Sequence, residues 1–195
     1  MEVLKLKIFD VLTEKISVSE FENWLYGSEE FVRQININSF YFDLISINYK
    51  NEEWLKKFEN ILILHFENNE LIKFIVMNTY TKLKHSKTSK ESFLILKNFS
   101  NYYNFQTDSI IQNQLYYLYC DFDLLDIGVY DEIELNHIVE YTSNDILKQF
   151  NSYAKLEEKI GFINEENTID NTIYTVQKTE KSTFKQKFLA FFKKI

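Results

Sequence analysis

A chain with no proline and only three glycines has few ways to reverse direction tightly, and that limits its fold more than any other feature. Hairpins and sandwiches of short strands depend on Gly and Pro for the backbone angles of their turns. Here Gly occurs only at 27, 128 and 161, against 18 Phe, 13 Tyr and 2 Trp. Such a chain is expected to form helices joined by Asn, Ser and Asp turns, with aromatic side chains filling the space between them. The same scarcity rules out a glycine-rich phosphate cradle.

The apolar spacing agrees. Leu4, Ile8, Val11 and Leu12 recur at helical intervals over about residues 2–15. Ser17-Val18-Ser19-Glu20 is a capping box, in which the Ser hydroxyl accepts from the N3 amide and the Glu reaches back. The helix it opens carries Phe21, Trp24 and Leu25 and stops at Gly27. Ser28 caps a short helix through Phe31. Phe40, Leu44 and Ile47 favour helix over buried strand. Asn51 is expected to cap a helix through Trp54, Phe58, Leu62 and His65, which Asn68-Asn69 breaks. Further helices carry Leu71 to Leu83, Phe93 to Phe99 (capped by Ser89) and Ile111 to Leu118 (opened by Thr107-Asp108). Beyond a break at Gly128, one helix is expected near 132–141. Another is capped by Ser143 and stopped by Lys159 and Gly161. The expected organisation is an all-α multi-helix bundle or α-solenoid-like stack over 1–161, a loop or linker over 162–180, and a basic amphipathic helix over 181–195. No repeat of fixed period is present.

Net charge is −7 and unevenly placed. Residues 121–170 hold 13 Asp+Glu against 3 Lys+Arg, while residues 171–195 hold 6 Lys+Arg against 1 Asp+Glu. The basic residues do not form a face across the fold, so nucleic acid is not an expected partner. No run approaches the ~20 apolar residues of a transmembrane helix. The charged, alternating stretch Met1–Asp10 does not read as a signal peptide. One cysteine, Cys120, excludes an intrachain disulfide and suits a reducing, cytoplasmic setting.

Little in the chain reads as catalytic chemistry. His65, His85 and His137 have no His or Cys at i+3 or i+4, so neither a metal nor another cofactor is expected. His65 lies on an apolar stripe and reads as a satisfied core residue. Cys120 sits beside Tyr119 and Asp121, and a nearby carboxylate disfavours a reactive thiolate. Asp121, Asp123 and Glu132 match the first, third and twelfth positions of a calcium loop. Leu125 cannot serve as the fifth, Asp126 stands where glycine is needed, and Gly128 comes two residues late. The acidic stretch therefore reads as a solvated face or a partner surface. In the second reading Asp121, Asp123, Asp126, Asp131, Glu132 and Glu134 would steer a basic protein. In the C-terminal segment Phe184, Phe188, Phe191 and Phe192 share one side, which could dock on the bundle, a partner or an anionic membrane.

Two segments carry a resemblance. Ser17-Val18-Ser19-Glu20-Phe21-Glu22-Asn23-Trp24-Leu25-Tyr26 and Phe40-Tyr41-Phe42-Asp43-Leu44-Ile45-Ser46-Ile47-Asn48-Tyr49-Lys50 resemble the N-terminal part of small helical immunity proteins found beside bacterial polymorphic toxins. The resemblance implies a non-enzymatic, cytoplasmic protein that binds a cognate toxin and neutralises it by occlusion. It transfers no site residue, because the similar positions are packing residues. The alternative expectation is a peripheral membrane or scaffold adaptor acting through the basic C-terminal helix. Oligomeric state stays open.

Overall fold

The computed structural model describes residues 1–34, 37–104, 107, 109–125 and 131–165, apart from the side chains of Glu30 and Asp123. These residues form an all-α fold with ten helices among them. They are α1 (Glu2–Leu12), α2 (Val18–Gly27), α3 (Glu29–Gln34), α4 (Ser39–Ile45) and α5 (Trp54–His65), then α6 (Asn68–His85), α7 (Ser89–Ser100), α8 (Ile110–Asp123), α9 (Glu132–Ser152) and α10 (Leu156–Asn164). The expected linker beyond Glu165 and the C-terminal segment with Phe184, Phe188, Phe191 and Phe192 lie outside the described residues.

Most starts and stops are local chemistry. Ser17 accepts from the Glu20 amide at 3.2 Å, and Glu20 returns to the Ser17 amide at 2.7 Å, completing the expected box. Those backbone and hydroxyl bonds stabilise the charged form and lower the Glu20 pKa. Ser17→Ala removes the acceptor and is expected to cost about 1 kcal/mol, read as a fall in the thermal midpoint. Ser28 accepts from Phe31 and Asn38 caps α4 through the Phe40 amide. The stretch 39–45 is helical, as its spacing indicated.

Several boundaries differ from expectation. Asn51 caps a turn, accepting from the Glu53 amide, and α5 begins only at Trp54. Asn68 and Asn69 open α6 instead of breaking a helix. Thr88 and Ser109, one or two residues from the expected positions, cap α7 and α8 through Glu91 and Gln112. Ser143 caps nothing. It is buried in the middle of a continuous α9 because Leu135, Val139, Ile146, Leu147 and Phe150 carry one apolar stripe through it. Gly161 does not stop a helix either. It lies inside α10, whose Phe162 and Ile163 are buried.

α6 is the axis of the bundle. It packs against α1, α7 and, most extensively, α9. Contact between such distant segments makes this a bundle and not a stack of sequential pairs. Its sequence is not helix-favouring, with Asn78, Thr79 and Thr81 in the middle. Burial of Phe74, Val76, Met77, Tyr80 and Leu83 compensates, at roughly 1.5–3 kcal/mol for each large apolar side chain. The Thr79 and Thr81 hydroxyls return to the Ile75 and Met77 carbonyls, so neither is stranded. Tyr80 donates to the Ile111 carbonyl at 2.9 Å and ties α6 to α8.

The aromatic abundance forms a nearly continuous chain of rings. It runs from Trp54 through Phe58, Phe21 and Trp24 to Phe31 and Tyr41. It continues through Phe40, Phe66 and Phe74 to Phe9, then to Phe150, Phe162 and Tyr153. The rings join α2–α5, which carry the two segments of resemblance, to the bundle formed by α1, α6, α9 and α10. Most pairs are tilted or edge-on, as the ring quadrupole favours.

Candidate interaction surfaces

The six acidic residues picked from the sequence fall on two helix ends and the segment between them. Asp121 is half-buried near the end of α8, where Asp123 is the last residue, and Asp126 lies outside the described residues. Asp131 is the N-cap of α9 and accepts from the Ile133 amide at 2.8 Å. Glu132 and Glu134 occupy the first turn of α9, where the helix dipole favours negative charge. Local helix chemistry therefore accounts for the position of Asp131, Glu132 and Glu134. It does not account for what stands between them.

Ile133 is 80% exposed, and Tyr141, two turns further, is 59% exposed. With His137 between them they form a stripe at i, i+4 and i+8 along the outer side of α9, flanked by exposed Glu134 and Glu140. Lone exposed apolar residues are ordinary, but an aligned apolar pair edged by carboxylates is a coherent surface. Sequence reading found the acids and missed Ile133, Glu140 and Tyr141. The signal was present in the helix expected over 132–141, whose spacing already sets Ile133, His137 and Tyr141 on one face.

A second surface is a cleft floored by α6 and walled by α5 and α7. One part, about 1030 Å³, lies against Trp54, Leu55, His85, Leu94 and the end of α1. The other, about 390 Å³, lies against Lys56, Ile63, Ile75 and Tyr102. Leu12, Asn78, Lys82 and Ile95 line both, so the two parts adjoin. Glu59 spans the cleft from α5 to hold Asn78 and Lys82. Glu14, in the left-handed region at φ 58°, receives Lys84 at 2.9 Å and His85 at 2.7 Å. Desolvation pushes the Glu14 carboxyl up. The hydrogen bonds and charges of His85 and Lys84 together outweigh it and hold the pKa below its ordinary value.

A third feature is a tyrosine cluster on α7 and α8. Tyr103 and Tyr116 stack at 4.4 Å with planes 4° apart, and Tyr119 stacks on Phe93 at 5.6 Å. A hydrogen bond with Cys120, together with desolvation, raises the Tyr116 pKa. Cys120 is half-buried.

The histidines serve local contacts. His65 pairs with Asp43 at 2.6 Å and packs on the Phe40 ring at 5.1 Å, so it is partnered within the fold. His85 pairs with Glu14, and His137 is exposed. Among the described residues, no cluster of three or more His, Cys, Asp or Glu has the arrangement to hold a metal ion. No described helix is long and apolar enough to cross a membrane.

One group was misread from the sequence. Lys159 was expected near a helix end, but its side chain is 0% exposed. Its ammonium lies 3.5 Å from the Asp10 carboxylate, donates to the Phe150 carbonyl at 3.2 Å and sits 3.9 Å over the Phe150 ring. Burial lowers its pKa to about 8, against the opposing pull of Asp10. Around it Thr13 and Asn151 exchange hydrogen bonds, and Lys15 donates to the Tyr153 carbonyl. The cluster fastens the end of α1 to α9 and α10.

No family model, no curated protein and no solved structure matches this chain.

Proposed function

We propose that this chain is a non-enzymatic immunity protein that neutralises a cognate bacterial toxin in the cytoplasm by covering it. The observation that carries the reading is the outer stripe of α9. There Ile133 and Tyr141 supply apolar anchors between the carboxylates of Glu134 and Glu140. Aromatic and aliphatic anchors provide binding energy at interfaces, while surrounding charge raises the rate of encounter with an oppositely charged partner. The resemblance of residues 17–26 and 40–50 to toxin-associated immunity proteins supplies the biological setting. Both segments are packing elements, so they hold the scaffold while α9 faces the partner.

The test is co-purification with the product of the adjacent reading frame, followed by association kinetics at low and moderate salt. Wild-type protein should bind, more slowly as salt rises. The Glu132→Gln, Glu134→Gln, Glu140→Gln variant should associate about tenfold more slowly at low salt, with an unchanged circular dichroism spectrum. Absence of binding, or binding indifferent to both salt and these substitutions, would remove the proposal.

A further inference from the structure

Charge is segregated along this chain. Residues 98–147 carry nine Asp or Glu and no Lys or Arg, whereas residues 178–194 carry six Lys and one Glu. The described helices of the first block are α8 and most of α9. On the outer side of α9 the stripe of Ile133, His137 and Tyr141 continues to Asn144 at helical spacing, with Glu134 and Glu140 on its flanks and all of these side chains exposed. None of the α9 carboxylates forms a salt bridge among the described residues. Lys148, one turn beyond Asn144, is the first cation on that face. From Ile133 to Asn144 the stripe is thus apolar, acidic and about 17 Å long at helical rise.

The complement lies further along the same chain. Residues 181–195 are outside the described residues, and their sequence holds four Phe, five Lys and no Asp or Glu. It combines the two properties the stripe calls for, apolar rings and positive charge. Its tether is long enough. The Ser109 hydroxyl donates to the Ile163 carbonyl at 2.6 Å, so α10 ends beside the start of α8. From there α8 covers about 21 Å in its 14 residues, and the chain from Asp123 to Asp131 adds at most ~26 Å. Residues 166–180 can span up to ~50 Å, which exceeds that path. A tethered segment meets its site at an effective concentration in the millimolar range, so weak contacts suffice. From the charge match and the tether we infer that residues 181–195 dock in cis on the outer stripe of α9. Their Phe side chains cover Ile133 and Tyr141, and their lysines meet Glu134 and Glu140. A basic toxin would have to displace the segment to reach the stripe. That consequence rests on the immunity reading, whereas the docking itself does not.

A carbodiimide joins a lysine to a carboxylate without a spacer, so it reports direct contact. The full chain, treated at micromolar concentration, should give crosslinks from Lys185, Lys187, Lys193 or Lys194 to Glu134 or Glu140, read by mass spectrometry. Their yield should not change on dilution, because the contact is intrachain. It should fall by roughly threefold or more in ~0.5 M salt, which screens exposed charges. Ile133→Ser with Tyr141→Ser should lower the yield by a similar factor although every charge stays in place. Both side chains are exposed, so the thermal midpoint should stay within a few degrees. Three results would overturn the inference. The first is absence of these crosslinks, or the same lysines joined mainly to carboxylates of other helices. The second is a yield indifferent to the Ile133 and Tyr141 substitutions. The third is crosslinking between isotope-labelled and unlabelled copies that disappears on dilution, which would assign the stripe to the tail of a second copy. None of these depends on an external toxin. A chain that crosslinks as expected yet fails to bind the adjacent product would remove the immunity reading alone.

Discussion

Lys159→Ala is expected to destabilise the protein by about 3–5 kcal/mol, the usual cost of stranding one member of a buried ion pair. The substitution removes the only ammonium within ion-pair distance of the Asp10 carboxylate among the described residues and leaves a void beside the Phe150 ring, over which that ammonium sat. Asp10 Oδ1 is buried and makes no hydrogen bond among the described residues, so that oxygen has only the ammonium beside it. The pair as a whole is a different matter. Burial depresses the lysine, which means that its charge loses more on leaving water than Asp10 returns. Asp10→Asn with Lys159→Met keeps the volume and removes both charges. That double variant should match wild type at pH 7 or exceed it by about 1–4 kcal/mol.

The same pair sets a pH dependence with a definite sign. In the folded chain the ammonium releases its proton near pH 8, and in the unfolded chain at about 10.5. Between those values the unfolded state binds more protons, so stability rises with pH across the window and is flat, with respect to this group, below it. The span corresponds to about 3 kcal/mol. The quantity to measure is wild type minus the double variant, by denaturant titration from pH 7 to 10.5. Subtraction matters because burial raises the pKa of Tyr49, which acts in the opposite direction above pH 10. A flat difference would show that Lys159 is solvated.

Phe9→Ala is the second large effect. Phe9 is where the chain of rings crosses the bundle: it meets Phe74 of α6 at 4.5 Å and Phe150 of α9 at 5.3 Å, and it is 2% exposed. Truncation opens a cavity at a junction of three helices that cannot all move inward together, with an expected cost of about 3–5 kcal/mol. Because Phe150 also lies under the Lys159 ammonium, the Phe9 and Lys159 substitutions share a partner, and their effects should depart from additivity. A double-mutant cycle checks both statements. A Phe9→Ala cost below 1 kcal/mol, or strict additivity with Lys159→Ala, would contradict this picture of the core.

These two residues also show what a sequence can reveal. Where a feature depends on its neighbours along the chain it was legible: the Ser17–Glu20 box and the helical spacing of Phe40 and Leu44 both hold. Ser143 and Gly161 misled because the same side chains end helices when exposed and sit inside them when a longer apolar stripe is buried. Lys159 misled for a related reason. Its place is set by Asp10, on a helix at the other end of the sequence, and no local pattern records that pairing. The acidic excess over 121–170 was plain, but charge counts do not say which carboxylates share a face. Helical spacing brings Glu134 and Glu140 to the same side of α9 as Ile133 and Tyr141, and leaves Glu132 off it. The cleft had no sequence signature, since its walls come from three helices and its apolar residues are indistinguishable from core.

Occlusion and chemistry differ most plainly in stoichiometry. Titrating the purified adjacent product with this chain, while following the product's toxic activity, measures that directly. Neutralisation should reach its end point at one equivalent, with the partner recovered chemically intact and active after dissociation at high salt. Full neutralisation by a small fraction of an equivalent, or a partner left covalently altered, would mean that the chain acts by turnover and would contradict the account.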